Sequence, residues 1–305
     1  MRLDEDKTLF KNLIIKTEKS HKILREYVEK DYWVVMVLRS IFENDCGYCF
    51  KGGTSLSKCF HLINRFSEDI DISYSSPMGS MSTSNREKKF KGITKAINAN
   101  GLTIENTDKL RRQSYYNKFV CTYKSIFDND NMEKRIIVEL AEQTPSFPSK
   151  KMMIQAYIGH YLDSINRHDL TLKYGLESFE IEVQSLERTF VDKVYAICDY
   201  YLSNNYDKHS RHLYDLYKLL NVIKMDLNLC ILFNRVKEYR KGIEVCYSTK
   251  EEIKLSIILD SIITESAYKK DYEKTTFYLL YENVSYEECE KALIEIKNYL
   301  SRNNI

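Results

Sequence analysis

The sequence predicts an α+β fold in which a β-rich section with a mixed sheet lies between N-terminal helices and a helical C-terminal part. Three observations predict it. Glycine and proline are scarce, at 9 and 3 of 305 residues, which favours long helices. Apolar residues recur at helical spacing in two places, as Tyr27, Tyr32, Val35, Leu38 and Ile41, and again as Phe190, Val194, Ile197 and Tyr201. Between residues 102 and 142 polar and apolar residues alternate as in strands, most clearly in Lys134-Arg135-Ile136-Ile137-Val138-Glu139-Leu140.

Taken in order, residues 5–45 read as helices that break at Asn44 to Gly47. Tyr48-Cys49-Phe50 reads as a short strand running into Lys51-Gly52-Gly53-Thr54. A helix is expected from about Ser55 to Ile63, and a second strand from Ile70 to Tyr74. Residues 75–85, rich in Ser, Met and Gly, form a loop, and 86–100 a basic helix. Pro145 and Pro148 close the β-rich section. Residues 151–165 read as a helix, another starts near Glu187, and a third carries Arg211 to Leu220. The remainder, 225–305, is polar and helical. The expected division is one domain over residues 1–200 and a helical domain over 201–305.

Composition narrows the function classes. With 46 basic and 44 acidic residues the net charge is +2, so no global field draws the chain to nucleic acid, and any polyanion site is a local patch. No apolar run approaches the roughly 20 residues a membrane span needs. Met1 to Ser20 mixes charged and apolar residues, unlike a secretory signal, so the protein is expected in the cytoplasm. Among eight cysteines only Cys46 and Cys49 form a Cys-x-x-Cys. Zinc needs a second ligand pair, and His209 and His212 lie about 160 residues away, so the cysteines read as reduced, mostly buried thiols.

One segment carries chemistry. In a strand, residues two apart share a face, so Asp69 and Asp71 project together while Ile70 and Ile72 face the core. Two adjacent carboxylates repel unless a cation sits between them, and hard oxygen ligands favour Mg²⁺ or Mn²⁺. Such ions bridge a nucleotide's phosphates and activate an attacking hydroxyl. Gly52 and Gly53, between a strand and a helix start, let backbone N–H groups approach a phosphate. The helix beginning at Thr54 or Ser55 adds its positive end, and Lys51 and Lys58 add charge. Glu139, closing an apolar run on a neighbouring strand, is the expected third metal-binding acid.

The order Gly-Gly-Thr, spacer, Asp-x-Asp resembles the DNA-polymerase-β-type nucleotidyltransferase superfamily. Lys51-Gly52-Gly53-Thr54-Ser55-Leu56-Ser57-Lys58 with Arg65-Phe66-Ser67-Glu68-Asp69-Ile70-Asp71 is similar to one branch, the AbiEii/AbiGii toxins of abortive-infection (phage-defence) and toxin–antitoxin systems. Glu187-Arg188-Thr189-Phe190-Val191-Asp192-Lys193 resembles a second family segment, with Asp192 where the family carries glutamate. Arg211-His212-Leu213-Tyr214-Asp215-Leu216 resembles a third. The resemblance spans about residues 30–225. It implies a polymerase-β-type core in which Asp69 and Asp71 bind metal and Gly52, Gly53, Thr54 and Ser55 hold the triphosphate. Lys193 and Arg211 would contact nucleotide, and Asp215 would complete the catalytic set. Read without the resemblance, Lys193 lies off the centre of an apolar stripe, and Arg211 and Asp215 are an i,i+4 pair.

The acceptor is written in no motif. Basic clusters at Arg86 to Lys95, and at Arg111-Arg112 followed by Tyr115, Tyr116 and Lys118, offer phosphate contact and stacking for RNA, or a solvated face. The resemblance implies a toxin that transfers a nucleoside monophosphate from an NTP to RNA, foremost the tRNA 3′ acceptor end, and a cognate antitoxin encoded alongside. Two alternatives use the same site: NTP-dependent nucleotidylation or phosphorylation of a protein, and a GTP-binding module without transfer.

Overall fold

Asp6 opens the first helix by accepting the Leu9 N–H at 3.0 Å, and Lys22, in the left-handed region, closes it, so α1 spans Lys7–His21 and α2 follows as Arg25–Asn44. The computed structural model describes residues 1–44, 47–67, 69–74, 82–127, 133–250 and 253–305. Cys46, Glu68 and most of the expected loop, 75–81, lie outside the described residues. The chain divides into two compact units: Met1–Cys59, Glu68–Glu142 and Ser149–Val183 form the first, and Phe60–Ser67, Gln143–Pro148 and Gln184–Ile305 the second.

The first unit is built on a mixed sheet, as expected. Its strands are β1 (Tyr48–Lys51), β2 (Ile70–Tyr74), β3 (Thr103–Ile104), β4 (Tyr116–Thr122), β5 (Arg135–Ala141), β6 (Ser149–Ile154) and β7 (Phe179–Gln184). Among the described residues the spatial order is β3-β4-β5-β2-β1-β7-β6. β2 runs parallel to β5 and antiparallel to β1, and β4 runs antiparallel to β5. Ile70 and Ile72 of β2, Ile136, Val138 and Leu140 of β5, and Phe119 and Cys121 of β4 are all buried. α2 packs on β5 and buries Val28, Val34, Val37, Leu38 and Ile41. Each such side chain contributes about 1.5–3 kcal/mol when taken fully out of water.

The connecting helices are α3 (Gly52–Lys58), α4 (Thr83–Ala99), α5 (Tyr157–Ser164) and α6 (His168–Tyr174). Two elements differ from the sequence reading. Residues 151–154 form part of edge strand β6 rather than a helix. Lys150, Lys151, Met152 and Met153 are unbranched residues with good helix propensity, and pairing at the sheet edge overrides it. β7 was not expected, although Phe179, Ile181 and Val183 alternate with Glu180 and Glu182 and face the core.

The second unit is helical: α7 (Leu186–Leu202), α8 (Arg211–Leu220), α9 (Leu227–Arg240), α10 (Leu255–Thr264) and a last helix, Tyr286–Arg302. Ser185 caps α7 by accepting the Arg188 N–H at 3.2 Å. The expected stripe Phe190, Val194 and Ile197 is buried, with Tyr195 and Cys198 beside it. The segment at Arg65 lies in this unit: Phe66 N–H donates to Leu279 O at 3.1 Å, and Tyr281 N–H to Asn64 O at 2.8 Å.

Candidate functional site

Strand register assembles the acids in the first unit. Asp71 of β2 and Asp69, the residue just before it, are half-buried while Ile70 and Ile72 are fully buried, so the alternation of the strand sets both acids opposite the buried isoleucines. Asp71 pairs with Glu139 of β5 on one side and Lys51 of β1 on the other. Glu139 in turn pairs with Lys118 of β4, whose Nζ lies 3.1 Å from its carboxylate. Lys118, Glu139, Asp71 and Lys51 thus make one cross-strand row in which two neighbouring carboxylates are flanked by two lysines. The third acid expected from sequence lies directly beside Asp71 in register, with Lys118 as its ion partner.

Gly52 sets the position of Asp71. Its φ of +78° is in the left-handed region, and a Cβ built there would meet Asp71 Oδ2 at 2.0 Å and Cγ at 2.8 Å. Only glycine leaves room for that carboxylate against the turn from β1 into α3. Replacing Gly52 with Ala is expected to displace the Asp71 side chain, cost about 1–2 kcal/mol from the left-handed backbone, and reduce activity sharply. Thermal denaturation and an activity assay of the same preparation check both effects.

The remaining residues of this segment are built into α3. Thr54 and Ser55 are buried, and Ser55 Oγ donates to Gly52 O at 2.8 Å. Lys58 is buried and ion-pairs with Asp31 of α2, with its Nζ 3.7 Å from the Tyr157 ring centroid. Asp31 also accepts the Tyr157 N–H at 2.8 Å, so one carboxylate ties α2, α3 and α5 together. The Asp31–Lys58 pair therefore anchors the helix that follows the glycines.

In the second unit the later segments form a buried ionic network. Asp215 is fully buried and accepts from Arg65 Nε and Nη2, both at 2.7 Å, and from Lys193 Nζ at 2.6 Å. Burial pushes the Asp215 carboxyl upward, but Arg65 and Lys193 outweigh it and hold the group well below the usual carboxylate range. Burial lowers Lys193, as do the charges of Arg65 and Arg211, and Asp215 offsets part of this. Arg65 and Arg211 both act on Lys193 through their charge, and Asp215 is the carboxylate that offsets them there. Arg188, also buried, donates to Asp192 at 3.1 Å and to the carbonyls of Pro145 and Phe147. The shorter acid at 192 thus still reaches its arginine.

Lys193 Nζ also lies 3.3 Å from His212 Nδ1. A protonated lysine has no acceptor, so it donates, and the imidazole carries its proton on Nε2. Burial, then Lys193 and Arg211, hold His212 well below its ordinary 6.5. Below about pH 6.5 the unfolded chain takes a proton that the folded chain refuses, so stability is lost as pH falls through that range. His209, lowered by burial and Arg211, acts in the same sense. A lower denaturation midpoint at pH 5.5 than at pH 7.5, with a smaller difference in His212→Gln, is the expected result.

A family model described as nucleotidyl transferase AbiEii toxin, type IV toxin–antitoxin system, matches residues 37–286. The chain belongs to the AbiEii family of nucleotidyltransferase toxins. Among solved structures it is similar to MenT4, a nucleotidyltransferase toxin from Mycobacterium tuberculosis H37Rv. Identity is 15%, the TM-score is 0.50, and the match covers 89% of this chain and 85% of that one. At that identity the likeness concerns the fold. No curated protein matches by sequence.

As an AbiEii-family chain it is a nucleotidyltransferase, and membership of a toxin–antitoxin system implies an antitoxin partner. No helix among the described residues is long and apolar enough to cross a membrane. Among the described residues no three His, Cys, Asp or Glu side chains converge as a metal cage. Mg²⁺ needs less: one or two carboxylates, with water and phosphate oxygens completing its octahedron. Asp69 and Asp71, two hard carboxylates at the start of β2 with Asp71 seated against Gly52, fit that requirement. Arg65 and Asp31 are the residues that sequence reasoning missed. Arg65 stands inside the family segment, but its partner Asp215 lies 150 positions away.

Proposed function

We propose that this AbiEii-family chain transfers a nucleoside monophosphate from an NTP to RNA, foremost to the 3′ acceptor end of tRNA, with Mg²⁺ or Mn²⁺ held by Asp69 and Asp71. The observation that carries the reading is the pair of half-buried carboxylates at the start of β2, with Asp71 fixed by the glycine that opens α3. Bound there, the cation would offset the charge on the triphosphate and assist loss of pyrophosphate. Gly52 and Gly53 leave the backbone open to the triphosphate, and Lys51, paired across to Asp71, adds a cation at the same level of the sheet.

Glu139 faces the same side as Asp71 and would tune the charge around the cation through its pair with Lys118. Thr54, Ser55 and Lys58 support the reading by holding α3 in place, Lys58 through Asp31. Within the second unit we assign Lys193 and Arg211 to nucleotide phosphate, with Asp215 as the group that positions Lys193.

The test incubates the protein with Mg²⁺, each α-labelled NTP in turn, total bacterial RNA and cell extract, against Asp69→Ala/Asp71→Ala. A labelled band of tRNA size, absent with the double variant, is the expected result and names the nucleotide. Label on protein alone would replace this reading with protein nucleotidylation. Nucleotide binding without label would leave a GTP-binding module.

A further inference from the structure

The first unit carries a second concavity that shares no residue with the acids of β2 and β5. A cavity of about 570 Å³ is lined by the start of α1, Trp33 of α2, the turn at Gly101 and the segment Lys124 to Ile126 beyond β4. Lys124 lies six residues past Lys118, the partner of Glu139, so the cavity is about 20 Å from that row along the strand.

Two independent observations point to an anionic ligand. The first is charge: Arg2, Lys7, Lys11 and Lys124 line the cavity against one carboxylate, Asp4. That carboxylate is already engaged, accepting from Arg2 Nε at 3.1 Å and from the Tyr32 hydroxyl at 2.9 Å. The second is Trp33, which is 3% exposed and whose buried indole N–H meets no hydrogen-bond acceptor among the described residues. An unmet buried donor is costly and uncommon. The ring is held in place, stacked on Tyr123 at 5.5 Å and edge-on to Tyr32 at 5.1 Å and Phe10 at 6.3 Å. Indole N–H only donates, so the group that suits it is an acceptor. A negatively charged oxygen answers the donor and the surrounding cations together, and the volume matches a nucleotide-sized ligand.

We propose that this cavity binds a phosphate group, carried either by a free nucleotide or by an RNA chain. Trp33 donates to a phosphoryl oxygen, and Lys7, Lys11 and Lys124 neutralise its charge. Arg2 shapes the wall: its guanidinium donates to Ala99 O at 2.9 Å and lies over Gly101, where a Cβ would come within 2.7 Å of it.

Trp33 is the only tryptophan in the chain, so its fluorescence reports on this cavity and not on Asp69 and Asp71. Inorganic pyrophosphate and a short oligouridylate are titrated separately in the presence of EDTA. The expected result is a saturable shift of Trp33 emission to longer wavelength as the indole gains an acceptor. Lys11→Ala/Lys124→Ala, which alters exposed side chains, should weaken it by about tenfold or more. Asp69→Ala/Asp71→Ala should titrate like the unaltered protein, so failure of the transfer reading leaves this result standing. Trp33→Phe, followed by calorimetry, should weaken binding by removing the donor while keeping a ring. Saturation by pyrophosphate identifies the phosphates of a free nucleotide, and saturation by the oligonucleotide alone identifies RNA. No saturation with either, or an unchanged curve in the lysine double variant, overturns the proposal.

Discussion

Asp71→Ala is expected to lower nucleotidyl transfer by about a thousandfold or more while leaving the protein folded. A cation bridging a transferring phosphoryl group supplies several kcal/mol of charge stabilisation, and each 1.36 kcal/mol is about tenfold in rate. Asp71 is the carboxylate that Gly52 admits and that β1 and β5 flank in register. Its removal also takes away one of two carboxylates that stand side by side across β2 and β5, Asp71 and Glu139, so the cost in folding stability is small. Initial rates with saturating Mg²⁺ and labelled NTP, beside a denaturation curve for each protein, separate the two effects. A variant that keeps even a tenth of the activity would sink the assignment of Asp71 to the metal. Asp71→Asn should fail nearly as badly, since an amide oxygen preserves the shape but not the charge.

The reason Asp71 was legible in the sequence, and Asp31 and Arg65 were not, is a matter of range. Period-two alternation is local, so Ile70 and Ile72 alone dictate where Asp69 and Asp71 point. The same logic on Ile136, Val138 and Leu140 placed Glu139 on the polar face, and parallel pairing of β2 with β5 then set it beside Asp71. The basic residue Lys58 read as a phosphate contact because nothing in its neighbourhood names Asp31, 27 positions earlier, as its partner. Lys193 lies off the centre of the apolar stripe of α7, and the stripe by itself does not dictate its burial. It is buried at 6% exposure because Asp215, from another helix, accepts its charge. Single buried ion pairs across long separations leave no periodic trace. The edge strand β6 failed for a related reason: one sheet neighbour, β7, decides its conformation against the propensity of its own residues.

The largest effect on stability should come from Asp215→Ala, which is expected to remove about 3–5 kcal/mol, against a total of about 5–15 kcal/mol for an ordinary domain. Asp215 is at 0% exposure and is the carboxylate between two buried cations, Arg65 and Lys193. Truncating it forms no new contact and takes from both cations the carboxylate they share. Lys193 has an escape, because burial already lowers it and loss of Asp215 lowers it further, so it can shed its proton. Arg65 has no such escape, since guanidinium stays protonated, and the bond it donates to Phe66 O at 2.9 Å is to a neutral acceptor. Denaturant titration followed by the circular dichroism of the helices measures the loss directly. Removing both partners should cost less than removing one, so Arg65→Met/Asp215→Leu is expected to recover much of the stability. A folded double variant then gives the decisive comparison. Restored stability with activity still absent would mean that the charge network positions Lys193 for transfer, whereas restored activity would reduce Asp215 to a support of the fold. A loss below about 1 kcal/mol in Asp215→Ala itself would mean that the buried pair with Arg65 is not formed in solution.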